Sequence, residues 1–79
     1  MLSTHFVTYV SSRSLKTKDG KDFVLLSFVG DDGQLYADVY CDGCWSDVLS
    51  VKQFGDVFQL NLDINRYNSQ WRVSVSSII

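Results

Sequence analysis

Four of the chain's seven basic residues, Arg13, Lys16, Lys18 and Lys21, fall within nine positions, and Asp19 is the single acid among them. Cations on a short loop can follow a phosphate backbone without reading its sequence, because each contact releases counterions from the polyanion. The competing reading is a solvated turn whose lysines keep a sheet edge soluble. Tyr36 and Tyr40 sit two positions either side of Asp38. If Leu35, Ala37, Val39 and Cys41 face a core, both phenols stand on the outer face of the third strand. Successive bases stack on such rings at about 1–3 kcal/mol each; otherwise the tyrosines pack beneath the first strand or in a subunit interface. Arg66-Tyr67-Asn68 offers a cation, an aromatic and an amide at a turn, and Arg72 follows on the outward face beside it. The bland alternative there is an ordinary turn, where Asn and Ser are expected.

Other chemistries find little support. Cys41 and Cys44 form a lone C-x-x-C, two thiolates where a structural zinc wants four ligands. A symmetric dimer could bring two such pairs to one metal, with His5 the only spare imidazole. A thioredoxin-like role needs a βαβ setting that this pattern lacks, so a buried Cys41 and an incidental Cys44 are expected. With one His, no Glu, no glycine-rich phosphate loop and no nucleophile motif, no active site is read, and neither metal nor cofactor is expected.

The elements that must position these residues read as β-structure. The chain of 79 residues is 46% hydrophobic with five Phe, four Tyr and two Trp, enough for one folded domain over residues 1–79 with a modest core. Every acid is Asp, Ala occurs once and proline is absent, a composition that favours strands and turns over helices. Strand-like runs cover about Ser3–Leu15, Phe23–Val29, Leu35–Cys41, Phe58–Asn65 and Trp71–Ser76. Asp19-Gly20 and Gly30-Asp31-Asp32-Gly33 supply hairpin turns, and Arg66–Ser69 makes the last one. In Trp45–Lys52 the period changes: Trp45, Val48, Leu49 and Lys52 recur at helical spacing, with Ser46 or Asp47 as cap and Gly55 beyond the end. Strand, strand, strand, short helix, strand, strand is the order of the OB-fold, so the expected fold is all-β: a five-stranded antiparallel Greek-key barrel with one helix between strands 3 and 4. Leu35, Val39, Leu60, Leu62, Val73 and Val75 are the expected core positions.

The chain resembles the small OB-fold single-stranded-DNA-binding proteins of phages, in particular the filamentous-phage helix-destabilising type. The resemblance rests on Gly20-Lys21-Asp22-Phe23, on LYADVYCDG (Leu35–Gly43) and on the final hairpin from Phe58 to Ile78. It implies a dimer that coats single strands cooperatively through basic and aromatic side chains on its hairpins, in DNA replication.

Charge is segregated along the chain, although the net is only −2. Met1–Lys21 carries a net +3, Asp22–Asp56 a net −6 and the remainder +1, so one end could attract phosphate while the whole stays anionic. The expected function is non-enzymatic, sequence-independent binding of single-stranded DNA, with RNA left open. Arg13, Lys16, Lys18, Lys21, Arg66 and Arg72 would meet phosphates; Tyr36, Tyr40 and Tyr67 would stack on bases. The rival is a small acidic protein-interaction module, such as a phage inhibitor of a host protein, that presents the acidic middle segment. No apolar run approaches the ~18 residues of a membrane span, and the N-terminus lacks the pattern of a signal peptide. A soluble cytoplasmic protein is expected, paired as a homodimer partly through an apolar C-terminus (Ile78, Ile79), with no small-molecule substrate.

Overall fold

The computed structural model describes residues 2–79, apart from the side chain of Tyr67. Five strands follow the turn signals of the sequence: β1 (Leu2–Lys16), β2 (Asp22–Val29), β3 (Leu35–Asp42), β4 (Val57–Tyr67) and β5 (Gln70–Ile78). They close into a barrel in the order β1-β2-β3-β5-β4, with β4 returning to β1. That circuit, with its helix between β3 and β4, is the OB-fold arrangement. The long first strand makes closure possible: its N-terminal half pairs with β4 and its C-terminal half with β2, and Thr8 faces a partner on both sides. Four seams are antiparallel. The fifth, β3 against β5, is parallel and holds only the pairs Tyr40–Ser74 and Cys41–Val75.

Side chains from every strand meet inside. Val7, Tyr9, Val24, Leu26, Phe28, Val39, Cys41, Phe58, Leu60 and Val75 are buried, and Trp45, Leu62 and Ile78 pack against them. The phenol of Tyr9, the one polar tip in this set, is satisfied by the Ser12 hydroxyl at 2.8 Å. No buried side-chain polar atom among the described residues lacks a partner, as a small core requires.

The helical segment begins earlier than its spacing suggests. A 3-10 turn over Gly43–Trp45 leads into α1 (Ser46–Ser50). The cap is Asp42, whose carboxylate accepts from the Cys44 amide at 3.0 Å, and neither Ser46 nor Asp47 fills that role. Gly43 is required because a Cβ there would lie 2.6 Å from the Asp22 carbonyl oxygen. Five residues cannot sustain a helix alone. Leu49, fully buried in the core, holds α1 on the barrel.

Three β-bulges change which residues face inward. Val10 in β1 and Ser76 in β5 are extra residues against their partners. In β3, Ala37 and Asp38 together oppose Ser27, so that Leu26 pairs with Val39 but Phe28 with Tyr36. Asp38 adopts φ 55°, and its amide donates to the Ser27 hydroxyl at 3.2 Å. One inserted residue reverses the alternation on either side of it. The single face expected for Leu35, Ala37, Val39 and Cys41 is therefore not formed: Val39 and Cys41 are inside, while Leu35 is 63% exposed and Ala37 is exposed as well. Of the other expected core positions, Leu60 and Val75 are buried and Leu62 is half-buried. Val73 is 42% exposed, because it lies where β5 leaves the barrel. No helix among the described residues is long and apolar enough to cross a membrane.

Candidate nucleic-acid interface

The outer surface of β1, β2 and β3 is built by register. Arg13 pairs with Leu25, Leu25 with Tyr40 and Tyr40 with Ser74, a row that crosses four strands. One step towards the β1–β2 turn, Leu15 pairs with Phe23. Phe23 and Tyr40 stack with ring centroids 5.6 Å apart and planes at 19°. Both faces of β2 carry apolar side chains, so its outer residues Phe23 and Leu25 remain half-exposed beside Tyr40. The result is an aromatic platform, with Arg13 on one side of it and Arg72 on the other.

Beyond Tyr40 the surface dips into an open cleft of about 670 Å³ lined by Asp38, Tyr40, Asn65, Arg72, Val73 and Ser74. The β4–β5 hairpin rises from its edge. Arg66 and Trp71 pair across that hairpin, with the guanidinium carbon 5.6 Å from the indole centroid. Trp71 is 69% exposed, although simple alternation with Val73 and Val75 would turn it inward. It escapes burial because the hairpin extends past the barrel mouth. The indole is thus held against a cation and otherwise open to solvent.

The basic turn lies at the opposite end of the same surface and is less positive than its composition implies. Arg13 lies 3.2 Å from the Asp38 carboxylate, and Lys16 3.8 Å from Asp22. The Thr17 hydroxyl donates to Asp19 at 2.7 Å. That bond, with the Asp19 backbone amide and nearby Lys21, holds the carboxyl below its ordinary range. Asp42 is lowered too, by its bonds from Cys44 and by the charge of Lys21. Lys18 makes no ion pair among the described residues.

Of the nine residues expected to bind, Arg13, Tyr40 and Arg72 share the central surface, Lys16, Lys18 and Lys21 border it at the turn, and Arg66 borders it on the hairpin. Tyr67 falls on a side chain outside the described residues. Tyr36 does not join Tyr40. The bulge at Asp38 turns it to the inner side, where its ring stacks on Phe28 at 5.5 Å and its hydroxyl donates to Asp32 at 2.6 Å. That hydrogen bond raises the phenol's pKa and lowers that of the carboxyl. Phe23 and Leu25 on the central surface, and exposed Trp71 on the hairpin, are residues that sequence reasoning did not single out. The dense run FVLLSFV held the signal for the first two, since half of any strand faces outward.

Cys41 is buried in the barrel and Cys44 exposed outside it, so the C-x-x-C divides between two environments. Burial pushes the Cys41 thiol up to about 12. No group of three or more His, Cys, Asp or Glu among the described residues could hold a metal ion. Comparisons with protein-family models, curated proteins and solved structures find no significant match.

Proposed function

We propose that the protein binds single-stranded DNA without sequence preference, along the outer surface of β1, β2 and β3. The observation that carries this reading is the Arg13–Leu25–Tyr40–Ser74 row with the Phe23–Tyr40 stack on it. It lies between a lysine-bearing turn and the Arg66–Trp71 hairpin, the strands and two loops with which OB-folds hold oligonucleotides. Stacking tolerates any base because every base has a π-face, and loop cations track the backbone. Such a protein would act in the cytoplasm, where strands are exposed during replication of a phage or mobile element.

The acidic-module reading loses ground to the placement of the aspartates. Asp38 and Asp22 lie against cations, Asp42 caps a turn, Asp32 holds Tyr36 and Asp56 accepts from the Gln53 amide. Of the acidic middle segment, Asp22 and Asp38 thus have cation partners within the same chain, which leaves less of its charge to meet a basic protein.

The test is fluorescence anisotropy with labelled oligo-dT, and oligo-U as competitor, at two salt concentrations. Binding that weakens with salt by about 0.7 in log–log slope per phosphate contact is expected. A folded protein that ignores oligo-dT at about 50 mM salt, or that prefers oligo-U strongly, overturns the proposal.

A further inference from the structure

We infer that one mouth of the barrel is a binding site for a small organic ammonium ion, with its apolar body inside the barrel and its charge at Asp31 and Asp32. This goes beyond the proposed function and does not rest on it.

The site forms where inward-facing side chains run out of cover. Val7 and Phe28 are fully buried. Leu62 and Ile64 on β4 are only half-buried, and Val73, which pairs with Ile64, is 42% exposed. These five are the apolar lining of a pocket of about 220 Å³. All five strands contribute to its wall, and among the described residues none of α1 does. Barrel mouths are among the places where folds hold small ligands. The volume falls short of the ~300 Å³ of the smallest drug-sized sites and equals that of about seven waters. It suits a single ring or a short branched chain.

The rim decides the charge of the occupant. The bulge at Asp38 turns Tyr36 inward onto Phe28, and the Asp32 carboxylate accepts from the Tyr36 hydroxyl at 2.6 Å and from the Gln34 amide at 3.1 Å. Gly30 permits this closeness, since a Cβ there would lie 2.8 Å from Asp32 Oδ1 and 2.9 Å from the Tyr36 ring. Asp31 lies 3.4 Å from His5 Nδ1, and His5 Nε2 meets the Ser3 hydroxyl at 2.8 Å. Two carboxylates thus line the pocket, with no Lys or Arg among the described residues to balance them.

A phosphate or carboxylate would be repelled at such a rim, and a neutral apolar molecule would leave its charge unused. His5, Asp31 and Asp32 do not make a metal site among the described residues. A cation that carries its own apolar body uses both parts. An ammonium group donates up to three hydrogen bonds, and an ionised carboxylate has about four acceptor positions, more than the bonds above occupy. The face of the Tyr36 ring adds a further attraction for positive charge. The same rim keeps a phosphate backbone away, so the pocket is separate from the proposed strand path; Val73 alone among the described residues borders both the pocket and the larger cleft.

Titration of the isotope-labelled full chain with phenethylamine, read by amide chemical shifts, tests this. Saturable shifts are expected at His5, Gly30, Asp31, Asp32 and Tyr36, with a Kd of about 1 mM or tighter for a ligand of about nine heavy atoms. Phenethyl alcohol, of the same shape without the charge, should bind at least ~10-fold more weakly, and phenylacetate more weakly still. Asp31→Asn, which keeps an oxygen for His5, should weaken the amine ~10-fold, while Asp47→Asn on α1 leaves it unchanged. Circular dichroism checks the fold; if Asp31→Asn unfolds, the comparison of amine with alcohol on the parent carries the test. Equal affinity for the three compounds, shifts confined to other parts of the chain, no saturable shift well above ~1 mM, or a folded Asp31→Asn that binds the amine like the parent overturns the inference.

Discussion

Replacing Asp38 with Asn probes the proposed strand path directly. The carboxylate lies 3.2 Å from the Arg13 guanidinium with both side chains more than half exposed, so the pair contributes at most about 1 kcal/mol to stability. Its backbone occupies φ 55°, a region that Asn and Asp enter readily and that costs most L residues roughly 1–2 kcal/mol. Asn therefore keeps the bulge, and Ala strains it. For binding, the substitution removes a negative charge beside the platform. With a phosphate ~7 Å away, the repulsion relieved is about 0.6 kcal/mol in the dielectric of water, roughly threefold in affinity, and more as stacked bases exclude solvent. Arg13, released from its partner, adds up to one phosphate contact and steepens the salt slope by about 0.7. Anisotropy titrations with oligo-dT between about 50 and 200 mM salt should show the gain at low salt and its loss at high salt. Thermal melts run in parallel should leave Asp38→Asn near the parent and lower Asp38→Ala by roughly 4–8 °C. If Asp38→Asn melts like the parent yet binds no tighter at any salt, the strand does not pass this residue and the reasoning fails.

Tyr40→Ala and Trp71→Ala should each weaken oligo-dT binding by about 1–3 kcal/mol with little change in salt slope, whereas Tyr36→Phe should leave affinity untouched; equal losses at all three would contradict the inward placement of Tyr36. In urea denaturation, Leu60→Ala should cost about 2–5 kcal/mol and Leu35→Ala should stay within about 0.5 kcal/mol, a contrast that disappears if β3 lacks its bulge. Asp19, Asp32 and Asp42 hold folded pKa values below their ordinary ones, so the stability they provide is complete at neutral pH and is lost as pH falls through those lowered values. The melting temperature should therefore be level from about pH 7 to 5 and fall below about pH 4; a rise on acidification would exclude these bonds as stabilising.

The barrel was legible because strand alternation and glycine-aspartate turns are local signals, and the helix between β3 and β4 announced itself by a change of period. Its start was misplaced because Asp42 reads as a strand end, and only the close passage of Gly43 past Asp22 shows that the turn begins there. The inside-outside assignment of β3 failed at Leu35, Ala37 and Tyr36 for a different reason. A bulge is set by the pairing with β2, a contact distant in sequence, and Asp38 carries no mark that separates it from an ordinary outward residue. Val73 was misjudged because alternation predicts which way a side chain points, not whether the barrel reaches far enough to cover it. Cation positions were readable from the sequence, but their neutralisation was not, since Asp22 and Asp38 approach Lys16 and Arg13 only across strands.

The β4–β5 hairpin has a dynamic consequence. Between Asn65 and Arg72 its strands pair with each other and with no other described strand, and a lone two-stranded ribbon is only marginally stable in water. The barrel anchors its base, whereas the tip, with Asn68 and Ser69 at positive φ, is paired only within the hairpin itself. Local opening there lies at the low end of the free-energy range across the molecule. If the proposed strand lies across the hairpin and the barrel, it would order both, and part of its affinity would go into stiffening the hairpin. The amides from Asn65 to Trp71 are thus the ones whose exchange with solvent slows most when the groove is filled.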